Sequence, residues 1–447
     1  MQAILIRFPR KYGFGSDTCG HIISARFFTQ VCGFYYLFHI LPPLPFVQII
    51  FILLFGRMMR NQGATKIYLL AVAICSLFNT FFFVVDLVNS SQVFLGLSIA
   101  LVVLSTVGDA GIFCSIYVLA GQHDLPCSPK VESGGGGSSG PALMETMYAL
   151  GTMLGPLFGG LIVRTWGWTG LCLTVGLSMF VVGVITALVE LFAKLRILNA
   201  QHKHSGEDGG CDVDQDTSKE ISNFIVQPEA GIDTSESKTL SEEPLNHWNA
   251  LCRPWVMVSC VTMVASGVSS SWYLSSLESH LSITLQLSST TVSLIYMCPG
   301  FVYALLTPLT GFLLDRGLPH LLLLIPAISA NILGYLLLGP SPLLPWSASP
   351  HSTVCGLLLH GLGLSTTLMT CLSLMTKEAK VSDEAGAGIV TSLWECSELV
   401  GGYLGSTIGG VVASLVGFQA ATTCVFLLQL AVLVLVVSMA VYKHKHK

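Results

Sequence analysis

The sequence predicts an all-α protein that threads a membrane many times, and three observations carry that prediction. Apolar residues make up 52% of the 447 positions, charged residues only 10%, and the mean hydropathy is +0.71. A soluble domain carries about 25% charged residues and has no interior large enough for so much apolar surface. The apolar residues also gather into runs long enough to cross about 30 Å of hydrocarbon. Finally, the chain repeats itself: "ETMYALGTMLGPLFGG" at 145–160 recurs as "ECSELVGGYLGSTIGG" at 395–410. Glu145 falls on Glu395, Gly151 on Gly401, Gly155 on Gly405, Gly159 and Gly160 on Gly409 and Gly410, and the following Gly167-Trp168 on Gly417-Phe418. A carboxylate, a set of glycines and a Gly-aromatic turn in one register indicate internal duplication.

The apolar runs lie at 34–56, 67–86, 93–120, 142–163 and 168–193, then at 254–276, 289–314, 320–340, 352–376, 386–412 and 417–442. The chain is therefore read as an irregular N-terminal segment 1–33, a first bundle 34–193 of five spans, a polar linker 194–250 and a second bundle 251–447 of six spans, eleven in all. The linker, with "SGEDGGCDVDQDTSKE" and "DTSESKTLSEEP", is too polar to fold alone. "ESGGGGSSG" at 132–140 reads as a flexible loop insertion. Duplication implies six spans per half, so one more is expected ahead of residue 34. Residues 1–30 contain no span and are too irregular for a secretory signal, and the recorded N-terminus is expected to be an alternative or incomplete start.

Basic residues orient the chain. Arg57, Arg60, Lys66, Lys130, Lys194, Arg196, Arg316, Lys377, Lys380 and the terminal "KHKHK" fall in alternate loops, which places those loops, the linker and the C-terminus in the cytoplasm. The opposite loops hold Arg164 and the sequon Asn89-Ser90-Ser91.

Gly151, Gly155 and Gly159 form one helical stripe, as do Gly401, Gly405 and Gly409. Lipid tails are as apolar as leucine, so helices in a bilayer associate through close backbone approach, which such stripes permit. With Gly160, Gly410 and the helix-breaking Pro156, the stripes mark packing seams or a hinge.

A carboxylate inside a span costs at least about 2.5–3.5 kcal/mol and is expected to face a cavity. The candidates are Asp109, Glu145, Glu395 and Glu398, with His360 in the span that answers to Asp109's by repeat position. Asp86 and Glu190 lie near span ends, where water reaches them. No Lys or Arg lies deep within a span. A carboxylate-lined cavity without fixed cations attracts cations and repels phosphate esters and dicarboxylates. A buried carboxylate holds a proton or pairs with a cation, rarely both, and that competition is antiport. His360 either joins the proton path or serves as a hydrogen-bonded structural histidine. The 14 cysteines are scattered, with no CxxC pair or His spacing suited to zinc, so no metal and no cofactor is expected.

Two helical halves joined by a polar loop resemble the major facilitator superfamily, and "GTMLGPLFGG" at 151–160 is similar to its antiporter motif. The superfamily's acidic-basic turn is matched by "GFLLDRG" at 311–317, while its first-half copy, "GRMMRNQGATK" at 56–66, has Arg60 where an acidic residue is usual. The resemblance implies a cytoplasmic gate at Arg60, Asp315 and Arg316, and a twelfth span at the N-terminus.

Within the superfamily, the chain is most similar to the vesicular amine transporters, and to their polyamine branch in particular. The likeness is carried by "METMYALGTMLGP" at 144–156, "LLTPLTGFLLDRG" at 305–317, "GYLLLGPSPLLP" at 334–345 and "LWECSELVGGYLGSTIGG" at 393–410. It covers about 45–440 apart from the linker and the Gly-rich insert. It implies that Glu395 acts in proton coupling and that Glu145 matches the glutamate before the polyamine branch's antiporter motif. It further implies an amine substrate and an acidic vesicle lumen. Ser406 departs from the proline of the family's second glycine motif.

The expectation is a monomeric, multi-pass, proton-coupled antiporter in a vesicle membrane, or alternatively the plasma membrane. Its partners would be a small organic cation, protons and lipid, with no nucleic acid, and it would work by rocking two bundles about a midplane site. The alternatives are a broad drug or metabolite antiporter of the same fold and a non-transporting sensor or scaffold. Enzymatic activity is not expected: Gly108-Asp109 is similar to an intramembrane aspartyl protease motif, but no second such motif follows.

Overall fold

A computed structural model describes residues 44–88, 90–122, 137–205, 245–339, 349–381 and 383–445. The expected N-terminal segment, the sequon's Asn89, most of the linker and the start of the Gly-rich insert lie outside these residues.

Among the described residues eleven α-helices follow one another: α1 Leu44–Gln62, α2 Ala64–Phe81, α3 Ser91–Gln122, α4 Ser139–Ser205, α5 His247–Leu251, α6 Pro254–Ser279, α7 Ser289–Asp315, α8 His320–Leu338, α9 Pro350–Glu378, α10 Glu384–Val416 and α11 Phe418–Lys445. No strand occurs among the described residues. Among the described residues, eight stretches are long and apolar enough to cross a membrane. The spans expected at 34–56, 142–163 and 386–412 are not among the eight; the first begins outside the described residues, and the other two lie on the first part of α4 and on α10.

The duplication is visible in the backbone. Gly167 breaks α4 with φ 72°, and Gly417 separates α10 from α11 with φ 83°. Both take a positive φ that costs glycine nothing, so each Gly-aromatic turn bends the chain from one span into the next. The turns after α1 and α7 likewise place Gly63 at φ 79° and Gly317 at φ 81°.

Of the described residues, those from Val184 to Ser205 belong to a separate unit. In it, α4 continues past the expected span end at 193 to Ser205, and Lys194 Nζ lies 2.6 Å from Glu190, one turn earlier. All the packing below belongs to the other unit.

In the second half, the glycine stripe of α10 packs against α6. A Cβ on Gly401 would lie 3.0 Å from Gly267 Cα, and one on Gly405 would lie 2.7 Å from Val268 Cα. The two backbones therefore approach more closely than any side chain allows, as expected for helices that cannot use the hydrophobic effect against lipid. In the first-half stripe, a Cβ on Gly151 meets nothing within 4 Å among the described residues.

The halves meet along two seams that answer to each other in the repeat. A Cβ on Gly56 of α1 would fall 2.7 Å from Ser392 Oγ and 2.8 Å from Gly388 O on α10. A Cβ on Gly311 of α7 would fall 2.5 Å from Ala142 Cβ and 3.0 Å from Ser138 O on the first-half side. Gly56 and Gly311 open the two copies of the acidic-basic turn. At Gly401, overpacking of a backbone seam is expected to cost about 1–3 kcal/mol or more. Gly401→Leu should therefore lower the melting temperature in detergent, while Leu415→Ala at a 78% exposed position should not; equal melting temperatures would count against the seam.

Candidate functional site

The two glutamate-bearing helices turn equivalent faces to one space. On α4, Glu145, Tyr148, Ala149 and Thr152 stand at i, i+3, i+4 and i+7; on α10, Glu395, Glu398, Leu399 and Gly402 stand in the same register. Both sets line a cavity of about 200 Å³ closed by α3, α6, α7, α9 and Gln48 of α1. The duplicated segments therefore face each other as the two carboxylate-bearing walls of one chamber.

Glu145 is 5% exposed. The Tyr117 hydroxyl of α3 donates to its Oε1, and the Tyr303 hydroxyl of α7 donates to its Oε2 at 2.6 Å. Tyr117 in turn meets Trp394 edge-on, with centroids 5.2 Å apart, and the Trp394 indole donates to Leu368 O at 3.2 Å. Glu395 and Glu398 stand half-buried on the α10 wall. The rings of Phe113, Tyr117, Tyr148, Tyr273, Tyr303 and Tyr403 complete the lining, and no Lys or Arg takes part among the described residues. Carboxylates supply negative charge and aromatic faces attract cations through their quadrupoles, so the chamber suits an organic cation.

The structure separates the remaining candidates from this chamber. Asp109 lies between α3 and α2, where the Cys75 thiol donates to its Oδ1 at 3.1 Å, and it is not on the cavity wall. His360 occupies the corresponding place between α9 and α8. Its Nδ1 is 2.9 Å from Asn331 Oδ1, and the rings of Tyr273 and Tyr335 stand edge-on, each with its centroid 5.2 Å away. Its neighbour Gly361 lines the cavity while His360 itself is buried behind Tyr273.

The gate residues act differently from one another. Asp315 receives the Ser138 N–H at 2.6 Å and the Ser139 N–H at 2.9 Å, together with the Ser139 hydroxyl, so a second-half carboxylate caps the N-terminus of α4. Arg60 donates to Leu245 O at 2.7 Å. Arg316, just past the end of α7, lies over the Phe312 ring of that helix, 4.1 Å from the centroid. Glu384 at the start of α10 accepts from the Ala64 N–H and so caps α2 from the other half. The short α5 bridges the same end: His247 Nε2 is 2.9 Å from Ser392 Oγ of α10, while Arg60 of α1 holds Leu245 just ahead of it.

Tyr117, Tyr303, Glu384 and His247 escaped the sequence reading. For the two tyrosines a signal existed: a tyrosine inside an apolar span needs a partner for its hydroxyl, and the span carboxylate is the strongest acceptor at hand.

A family model described as the Major Facilitator Superfamily matches residues 44–390. The human MFS-type transporter SLC18B1 is 23% identical over 378 residues, which cover 82% of this chain and 70% of that protein. Among solved structures, the human organic anion transporter MFSD10 (TETRAN) superposes with a TM-score of 0.59 at 14% identity, covering 97% of this chain and 88% of the other. The E. coli fucose:proton symporter FucP superposes with a TM-score of 0.55 at 14% identity, covering 97% and 93%. At these identities the two structures share a fold with the chain.

The α5 strap carries a pH dependence. Burial first, then the neighbouring Arg57 guanidinium, hold the His247 imidazole below the usual histidine range. Protonation therefore favours a released strap, in which the ring is solvated and farther from Arg57. The histidine's contribution is complete above its ordinary value of about 6.5 and is lost as the pH falls from there through the depressed one. Limited proteolysis at the strap should accelerate below about pH 6.5, and His247→Gln should remove that dependence; a wild-type rate flat with pH would refute it.

Proposed function

We propose that this chain, which belongs to the Major Facilitator Superfamily, exchanges protons for an organic cation across a vesicle membrane. That it is an integral, multi-pass membrane protein of a secondary-transport family, with no enzymatic chemistry, follows from the family match and the apolar helices. The cation reading rests on one observation: a chamber between the halves holds Glu145, Glu395 and Glu398 and, among the described residues, no Lys or Arg.

Carboxylates on opposed walls favour a solute with more than one ammonium group, and the aromatic rings favour an alkyl-ammonium over a hydrated metal ion. A polyamine meets both conditions, and a monoamine meets the second. Glu395 stands on the cavity-lining face of α10 and is assigned the proton exchange, because a carboxylate that releases a proton on one side and a cation on the other couples the two fluxes. Asp109 and His360, one helix layer away from the solute, are assigned support of the bundles rather than cation contact. The basic loops support a cytoplasmic strapped end, with the opposite end toward the vesicle lumen.

MFSD10 is described as an organic anion transporter, yet the likeness reaches the fold and not the charge of the chamber. The second reading, a broad-specificity antiporter for drugs or metabolites, is favoured by the 23% identity to the human relative, which supports transport without supporting a substrate. An aromatic wall of this kind also accepts cations of varied shape.

Purified protein in liposomes with an acid interior should accumulate labelled spermidine, with serotonin as the monoamine comparison. Glu395→Gln should lose at least tenfold of the gradient-driven uptake while keeping its wild-type melting temperature. Preference for serotonin would move the assignment to a monoamine, and comparable uptake of both with many unrelated cations would move it to the broad antiporter. No gradient-driven uptake of any cation, or an unaffected Glu395→Gln, would refute the proposal or its site.

A further inference from the structure

The two hydroxyls that satisfy Glu145 come from different halves of the duplicated chain. Tyr117 lies on α3, in the same half as Glu145 on α4, whereas Tyr303 lies on α7 in the second half. A rigid rotation of one half against the other preserves the first bond and breaks the second. At 2.6 Å to a 5% exposed carboxylate, the Tyr303 bond occupies Oε2, and the Tyr117 bond occupies Oε1. Both oxygens of the glutamate at the chamber wall are therefore engaged by protein in this arrangement of the halves.

We propose that Tyr303 is a positioning residue that makes Glu145 available to the cation in only one arrangement of the halves, because its hydroxyl and the ammonium compete for the same carboxylate oxygen. The inference rests on the reading that the chamber binds a cation. When the halves part, Tyr303 withdraws and Oε2 is open to the solute. When they close, the hydroxyl returns and displaces it. The helix is built for such a movement: Pro299 and Pro308 lie on either side of Tyr303 in α7, and each removes a rung of the hydrogen-bond ladder. Gly300 leaves room beside that turn, where a Cβ would meet Met153 of α4 at 3.1 Å.

Removing a competitor and removing a structural support have different kinetic signatures. Without the hydroxyl, the cation no longer displaces a bond to a charged acceptor, so KM and the dissociation constant should fall, by about tenfold and at most about 100-fold. Maximal turnover should fall as well, because the closed arrangement loses the bond that stabilises it and releases a more tightly held solute. A merely structural role would weaken binding and turnover together.

The experiment measures labelled spermidine binding and gradient-driven uptake for full-length wild type, Tyr303→Phe, Tyr303→Leu and Glu145→Gln, each checked by melting temperature. The expected result is a lower KM with lower turnover for both Tyr303 variants and loss of spermidine affinity for Glu145→Gln. Tyr303→Phe with unchanged or raised KM, beside a Glu145→Gln that has lost affinity, would overturn the competition while leaving the cation chamber standing. Glu145→Gln with wild-type affinity, or a wild type that neither binds nor transports spermidine, would overturn the functional reading and this inference with it.

Discussion

A carboxylate inside a bilayer-spanning helix has to be satisfied by protein, and Glu145 meets that constraint by drawing one tyrosine hydroxyl from each half of the chain. Much of the chamber's geometry depends on it. The bond to Tyr117 fixes α3 against α4 within one half, and the edge-on contact of Tyr117 with Trp394 carries that order to the helix bearing Glu395. The bond to Tyr303 needs α7 of the other half to approach α4, which is possible because Gly311 leaves no side chain between them and Ala142. A polar requirement in the membrane and a steric allowance at a glycine thus locate the same seam.

The duplication explains why the seams come in pairs, and the departures from it show how function is redistributed. In the second-half copy of the acidic-basic turn, Asp315 caps α4 across the halves. In the first-half copy, Arg60 stands at that place and has no negative charge with which to cap a helix N-terminus. The capping carboxylate comes instead from the far side, as Glu384 of α10 accepts the first N–H of α2. Arg60 is thereby released to hold Leu245, the residue at which the linker returns to the bundles. Both latches keep a carboxylate at a helix N-terminus, where the backbone dipole favours it, but the half that supplies it is the second in each case.

Much of this was legible in the amino acids. The alignment of Glu145 with Glu395 and of the glycine stripes anticipated the shared register with which α4 and α10 face the cavity, because helical periodicity turns sequence spacing directly into a face. The turns at Gly167 and Gly417 were legible for the same reason. Asp109 is not on the cavity wall, and the Cys75 thiol of α2 donates to it, a contact that its own span gives no sign of. Tyr303, Glu384 and His247 were hidden because their partners lie 158, 320 and 145 residues away in the chain. Local periodicity carries no information about contacts of that separation.

One fold serves an organic anion transporter and a sugar:proton symporter among its solved members, so the solute is decided by side chains and not by topology. The charges of this chamber limit the choice severely. Glu395 and Glu398 are i,i+3 neighbours, about 6 Å apart at Cβ, and like charges at that distance repel by roughly 3 kcal/mol at an effective dielectric of 20. Glu145 adds a third carboxylate on the opposite wall. An empty chamber with all three ionised is unfavourable, and either protons or a cationic solute relieves it. An anion deepens the repulsion and a neutral solute leaves it unchanged. In the proposed exchange of proton for cation, every loaded state of this chamber carries compensating positive charge.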